Sequence, residues 1–272
     1  MLKRIKNLFG PAPVPQTPVS APLPYRHVSL FHWRPANGSV NFGDHLAQVL
    51  VSRVLALRGL TLDDQVEQSA RLLAIGSILH FATHDDVVWG SGVNGKVPDS
   101  AFTAQRLDIR AVRGPLTEEF LRSRGHRVPS VYGDPALLVP HLFAGRFRTT
   151  GEKPHVFVPN LHDLRLVAGK PDVVSPLAGW NVVVAEILKA RLVLASSLHG
   201  LVIAEAFGIP ARYVRLSETE NLFKYRDYYY GTGRTDFEYA SSIPQALEMG
   251  GMPAFAFDPR PLLGAFPWDL WR

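Results

Sequence analysis

The chain has 272 residues, 46% of them hydrophobic and 19% charged, and it carries no cysteine. That composition suits a packed globular protein and excludes disulfides, thiolate metal sites and a cysteine nucleophile. The net charge of +5 favours anionic partners, while the lack of a basic block interleaved with aromatics argues against nucleic acid.

Residues 1–10 set Leu2, Ile5, Leu8 and Phe9 on one helical face and Lys3, Arg4 and Lys6 on the other. The segment lacks the apolar stretch of a signal peptide, and nowhere does an apolar run reach the roughly 20 residues that span a bilayer. It reads either as a frayed terminus or as a short helix lying on an anionic leaflet. Residues 11–24 contain six prolines. Proline fixes φ and removes an amide donor, so this stretch is an extended linker. The folded body is expected to begin near Tyr25.

From there strand and helix patterns alternate. Residues 27–32 read as a strand. Residues 41–43 form a turn, and Asp44 is placed to cap the helix that follows, which Gly59 closes. Residues 72–75, 87–89 and 109–112 are strands. Residues 115–124 form a helix with Pro115 in its first turn and Gly125 past its end. Residues 130–132 are a further strand. A second set has strands at 155–159, 173–175, 192–195 and 212–215, with helices at 181–189 and 200–207. Alternation of this kind predicts an α/β fold with mainly parallel sheets and helices on both faces. The break near residues 142–153 separates two such units, and ligands of open α/β sheets bind beyond the carboxyl ends of the strands.

Several strand ends carry reactive residues. Gly90-Ser91-Gly92-Val93-Asn94-Gly95 matches a dinucleotide fingerprint, yet Lys96-Val97-Pro98 argues against the helix that such a site needs. The glycines then serve close approach of the backbone to a ligand or another segment. In Ala195-Ser196-Ser197-Leu198-His199-Gly200 an apolar strand runs into two hydroxyls, an imidazole and a helix start, which is an anion site unless the serines only cap the helix. The segment lacks the G-x-S-x-G elbow, which argues against a serine hydrolase. His199 can bind an anion or exchange a proton. Arg110 and Arg113 end another strand and either grip an oxyanion or form surface ion pairs. Asp134, in Tyr132-Gly133-Asp134-Pro135, either acts in the site or opens a turn. Asp44 either activates a hydroxyl or caps its helix, whose N-terminus would keep it ionised. The stretch from Phe223 to Tyr229 is dense in cations and aromatics suited to phosphate and sugar. His80 and His84 share helical spacing, but H-E-x-x-H is absent and no third ligand is evident, so no metal is expected.

Taken in order, Asn41-Phe42-Gly43-Asp44, Gly90-Ser-Gly92, Arg113-Gly114-Pro115, Tyr132-Gly133-Asp134-Pro135 and Ser196-Ser-Leu-His199-Gly200 resemble the polysaccharide pyruvyltransferase family. The likeness spans roughly residues 28–229. The resemblance implies two Rossmann-like domains in a glycosyltransferase-B-like arrangement, here residues 25–145 and 146–272 after a start and linker at 1–24. It implies phosphoenolpyruvate as co-substrate, no cofactor, and a pyruvate ketal formed on a glycan acceptor, usually a lipid-linked exopolysaccharide repeat unit. On that reading His199 donates the proton, and Asp44 or Asp134 is the base. Arg113, Ser197, Leu198, His199, Lys224 and Arg226 bind the donor. Asn41, Tyr228 and Tyr229 bind the acceptor. The protein is then expected to be cytoplasmic and peripheral on the inner leaflet of the plasma membrane, through residues 1–10. Two other readings use the same cations: a nucleotide-sugar-dependent glycosyltransferase, and a non-catalytic glycan- or anion-binding module.

Overall fold

The computed structural model describes residues 23–218 and 220–272. The amphipathic start at 1–10 and almost all of the proline-rich segment lie outside the described residues.

Two parallel sheets organise the chain. The first runs in the order β1 (Val28–Phe31), β2 (Ala70–Leu73), β3 (Asp86–Trp89), β4 (Leu107–Ala111). A parallel bridge between Val112 and Tyr132 extends it by one rung, so the expected strand at 130–132 is reduced to a single pairing. The second sheet is β5 (Val156–Val158), β6 (Val193–Ala195), β7 (Ala211–Tyr213). Bridges at Phe157–Val173 and Val214–Ala240 flank it. Counting those two segments, the spatial order is second, first, third, fourth, fifth. That order reverses direction between β5 and β6, which is the switch point of a doubly wound sheet.

The helices are α1 (Phe42–Ala56), α2 (Pro115–Arg122), α3 (Val139–Leu142), α4 (Leu164–Val167), α5 (Trp180–Ile187), α6 (Leu198–Ala206), α7 (Phe223–Gly231), α8 (Ile243–Met249) and α9 (Pro259–Gly264). α1 begins at Phe42 with Asn41 as its N-cap residue. The Phe42 amide donates to the Pro176 carbonyl at 2.9 Å, so that first donor is satisfied by the backbone. The cap expected at Asp44 is therefore not made.

Strand residues alternate between faces. Leu72, Val87, Trp89 and Ala111 of the first sheet join Val156, Val158, Val193, Ala195, Ala211 and Tyr213 of the second in one buried cluster with α1, α5 and α6. The opposite faces carry separate clusters, Leu73, Val88 and Ile109 in one and Phe157, Leu194 and Val214 in the other. Both sheets thus share a central core.

The end of the chain returns to the first sheet. Trp89 Nε1 donates to the Leu262 carbonyl at 2.8 Å, and Trp271 Nε1 donates to Thr61 at 2.9 Å. Arg110 is paired with Asp108 and Asp269 at 2.6 and 2.7 Å, which is the ion-pair reading of that arginine. No helix among the described residues is long and apolar enough to cross a membrane.

Candidate active site

A cavity of about 300 Å³ opens between the carboxyl ends of the two sheets. Loops of the first half contribute Trp33, Asn41, Asp44, Ser77, His80, Phe81, Asn94 and Lys96. The loops after β5 and β6, on either side of the switch point, contribute Asn160, His162, Ser197, Leu198 and His199, and Glu220 and Lys224 complete it.

β6 ends in Ser196 and Ser197, whose amides both donate to the Val158 carbonyl at 3.1 Å. Ser196 Oγ accepts from the Asn160 amide at 3.0 Å, which ties the two switch-point loops together. Ser197 Oγ accepts from the Gly200 amide at 3.3 Å and so caps α6. That bond takes one lone pair and leaves the hydroxyl hydrogen to donate, and Ser197 lines the cavity. The first-turn amides of Leu198 and His199 have no intrahelical acceptor and lie at the cavity wall, where a helix N-terminus favours an anion.

His199 is wedged between two motifs. A Cβ on Gly43 would stand 2.3 Å from His199 Nδ1, so only glycine lets α1 pass the ring. His199 Nε2 lies 3.6 Å from Asp134 Oδ2, with both side chains buried. Asp134 Oδ1 accepts from the Ala136 amide at 2.9 Å, which fixes the carboxylate at the start of a 3-10 turn over Pro135–Leu138. Asp134 sits behind the ring, beyond hydrogen-bond distance of it, and does not line the cavity.

Asp44 lines the cavity in front of the ring. Asn41 Nδ2 donates to its Oδ2 at 2.6 Å. Burial pushes the Asp44 carboxyl above the ordinary aspartate range, and the nearby His199, the Asn41 bond and Lys224 offset this only in part. The expectation that the helix terminus would keep Asp44 ionised is corrected by that desolvation.

Two lysines meet across the cleft at one carboxylate. Lys96 Nζ is 2.5 Å from Glu220 Oε2, and Lys224 Nζ is 2.6 Å from Glu220 Oε1. Burial lowers Lys224, with Glu220 opposing. Burial also works against ionised Glu220, but the two lysines outweigh it and hold its carboxyl below the ordinary range. The trio leaves one surplus positive charge for an incoming anion.

Other expected site residues lie elsewhere. Arg113 is 1% exposed and paired at 2.9 Å with Asp227, which is 0% exposed. It also donates to Ser77 Oγ and the Val93 carbonyl, both at 2.6 Å. Its fork is used up internally, so it supports the cavity wall at Ser77 instead of binding the donor. Gly92 belongs to the same packing, since its Cβ would stand 2.5 Å from the guanidinium carbon; only a short 3-10 turn, and no α-helix, follows those glycines before β4. Tyr228 and Tyr229 are 0% exposed and sit in the central core, so neither can stack on an acceptor sugar. They face inward because the aromatic stretch is a helix, α7, whose i and i+4 spacing puts Lys224 and Tyr228 on a buried side. Arg226 is exposed on the other side and does not line the cavity.

Several cleft residues escape sequence reasoning. Trp33 and Phe81 supply the aromatic surface expected of Tyr228 and Tyr229. Of the histidine pair read in the sequence, His80, whose ring burial pushes below its ordinary value, lines the cavity 3.3 Å from Asn94 Nδ2, while His84 accepts from the Gln105 amide outside it. Asn160 and His162 carry one readable signal, their place just after an apolar strand.

These features define an α/β protein whose cleft, at a switch point, is lined by two lysines and a helix N-terminus. Its fold is similar to the crystal structure of an uncharacterized protein from Klebsiella pneumoniae subsp. pneumoniae NTUH-K2044, at a TM-score of 0.51 and 10% identity over 75% of this chain and 87% of that one. The family model for polysaccharide pyruvyl transferases matches residues 41–218, from the Asn41 that holds Asp44 to beyond β7, and the chain belongs to that family. It is 31% identical to the succinoglycan biosynthesis protein ExoV of Rhizobium meliloti (strain 1021), with the match covering 73% of this chain and 63% of that protein's length.

Proposed function

We propose that this protein transfers the pyruvyl group of phosphoenolpyruvate to a sugar of an exopolysaccharide repeat unit, lipid-linked at the time of reaction, and forms a pyruvate ketal. The observation that carries this reading is His199 at the cavity wall, with Asp44 before it, Asp134 behind it, and Lys96, Lys224 and the α6 N-terminus around it. The donor presents a carboxylate and a phosphate, which suit that arrangement of cations and amides. Protonated His199 gives its proton to the methylene carbon, which becomes the methyl group and leaves the central carbon electrophilic. A sugar hydroxyl adds to that carbon and passes its proton to Asp44. The carbon–oxygen bond to phosphate breaks, the second hydroxyl adds in its place, and its proton leaves with the phosphate. Asp134 holds the imidazole in orientation throughout. Trp33 and Phe81 offer the acceptor sugar a stacking surface.

We read the two sheets as Rossmann-like halves in a glycosyltransferase-B-like arrangement, supported by the switch-point order of the second sheet and the cleft between sheet ends. Attachment to the inner leaflet through residues 1–10 is part of the same proposal and rests on their basic amphipathic pattern. The deciding assay is phosphate release. Release from phosphoenolpyruvate that depends on a glycan supports the proposal, and turnover of a nucleotide-sugar in its place overturns it.

A further inference from the structure

Asn94, in the glycine-rich stretch from Gly90 to Gly95, lines the cleft beside His80. Its Oδ1 accepts from the Lys96 amide at 2.8 Å and from the Val97 amide at 3.0 Å, an Asx turn. Two N–H donors at that atom fix which end of the side-chain amide is oxygen. Nδ2 is therefore the atom that faces His80 Nδ1, at 3.3 Å. An amide nitrogen donates and does not accept, so His80 Nδ1 is the acceptor. A neutral imidazole that accepts at Nδ1 carries its proton on Nε2. Burial, which holds the ring below its ordinary value, favours the same neutral form. The ring is half-exposed at the cavity wall, and Asn94 is its one hydrogen-bond partner among the described residues. The Nε2–H is thus left for a ligand. Phe81, next to it on the 3-10 turn Leu79–Phe81, also lines the cleft, with its ring centroid 4.0 Å from that of His80.

We propose that His80 is a specificity-determining residue for the acceptor: its Nε2–H donates to a hydroxyl of the sugar that lies against Phe81, and Asn94 is the positioning residue that keeps the proton on Nε2. A sugar offers a face of C–H groups and a rim of uncharged hydroxyls, which an aromatic ring beside a neutral donor matches. The anionic groups of phosphoenolpyruvate are matched instead by Lys96, Lys224 and the first-turn amides of α6. The recognised hydroxyl lies outside the pair that forms the ketal, because an oxygen whose lone pair is held by an N–H is a poorer nucleophile. This acceptor assignment rests on the pyruvyl-transfer reading.

Three measurements on the full chain test it. Proton–nitrogen correlation NMR of the ligand-free protein is expected to show His80 with its proton on Nε2 and a bare Nδ1. In Asn94→Asp the neighbour of Nδ1 is a carboxylate that only accepts, so a proton is expected on Nδ1. A wild-type proton on Nδ1, or an unchanged pattern in Asn94→Asp, overturns the positioning role. The second measurement compares one glycan acceptor with its monodeoxy analogues, each lacking one hydroxyl outside the ketal pair. One analogue is expected to lose about tenfold in kcat/KM with wild type and nothing relative to its parent with His80→Leu, while His80→Gln, which keeps an N–H donor, discriminates in part. Thermal melts confirm that the variants are folded. Equal discrimination by wild type and His80→Leu, or a raised phosphoenolpyruvate KM as the sole effect of His80→Leu, overturns the acceptor assignment. In the third, the same acceptor and analogues are titrated without phosphoenolpyruvate while the His80 Nε2–H is followed. A saturable shift is expected with the parent, about tenfold weaker with the analogue that loses turnover. If wild type transfers nothing from phosphoenolpyruvate to any acceptor, the pyruvyl-transfer reading fails, and this titration alone decides whether His80 reads a glycan hydroxyl. No shift, or equal binding of parent and every analogue, overturns that contact.

Discussion

Asp44 shows how one residue exchanges stability for chemistry. Its carboxyl is raised in the folded chain by burial. A carboxyl of this kind holds its proton more tightly when folded, so its ionised form costs stability above the folded value. The cost vanishes below the unfolded value of about 4. Asp44→Asn is therefore expected to melt higher than wild type at pH 7 to 8, by about 2–4 °C for each kcal/mol recovered, with the gain shrinking as pH falls toward 4. The same variant is expected to lose transfer. A melting series across pH checks both limbs, and a variant no more stable than wild type at any pH refutes the burial cost. A second pair separates the aromatic residues. Trp33→Ala is expected to raise the acceptor KM severalfold, since it removes an aromatic face that lines the cleft. Tyr228→Phe removes only its 2.7 Å bond to Glu205, in the core, and is expected to leave the acceptor KM unchanged. Initial-rate kinetics at saturating donor distinguish them. Composition made the stretch from Phe223 to Tyr229 look like a ligand surface, because charge and aromaticity are legible in a sequence while the direction of a side chain is not. His199 was legible, because an apolar strand ending in Ser-Ser-Leu-His-Gly has few other uses.

At the level of elements, α2 and α7 form the seam that carries Lys224 into the cleft. Asp227 Oδ1 accepts from the Thr117 amide at 2.9 Å and satisfies a first-turn donor of α2, while Oδ2 takes Arg113 and the Thr117 hydroxyl. The helices approach so closely that a Cβ on Gly114 would stand 1.9 Å from the Asp227 carbonyl oxygen. A backbone oxygen cannot rotate away as a side chain can. Gly114→Ala is therefore expected to push α7 outward and raise the donor KM through Lys224, with urea unfolding shifted to lower concentration. Asp227→Ala strands a buried guanidinium and is expected to cost about 3–5 kcal/mol by the same unfolding measurement. Wild-type stability in either variant would show that the seam is not tight. The Arg-Gly-Pro signature thus stands for a seam between elements more than for a ligand contact. Its partner Asp227 lies 114 residues away in sequence, so nothing local to the signature names it. Strand positions were largely legible because apolar runs at strand length recur through the chain. The exceptions at 130–132 and 173–175 are edge segments with a single bridge each, where a sequence pattern says little about how far pairing extends.

On the scale of the whole molecule, the returning C-terminal segment is part of the first half. Trp271 stacks on Phe266 at 5.6 Å, and Phe266 meets Trp89 of β3 at 4.9 Å. Trp271→Ala is expected to cost about 3–5 kcal/mol and to lower the melting temperature of the entire protein, although the residue is far from the second sheet in the strand order. A separate early transition, with the remainder melting as in wild type, would show that the tail is only an appendage. The linear order of elements suggested two units meeting at residues 145 and 146, yet the cluster containing Trp89 and Ala111 also contains Val158, Ala195 and Tyr213. Sequence patterning reports that a strand is buried on one face and is silent about which sheet it faces across the core.

That shared cluster also bears on how a ligand gains entry. Two halves with their own interiors can swing apart like a clamshell, and substrate admission then appears as a slow, large change in radius of gyration. Here such swinging would expose the common interior to water, so the body is expected to unfold as one calorimetric unit, with equal calorimetric and van't Hoff enthalpies. Substrate admission is then expected to need only local rearrangement at the cleft rim, and scattering profiles with and without ligand are expected to superimpose.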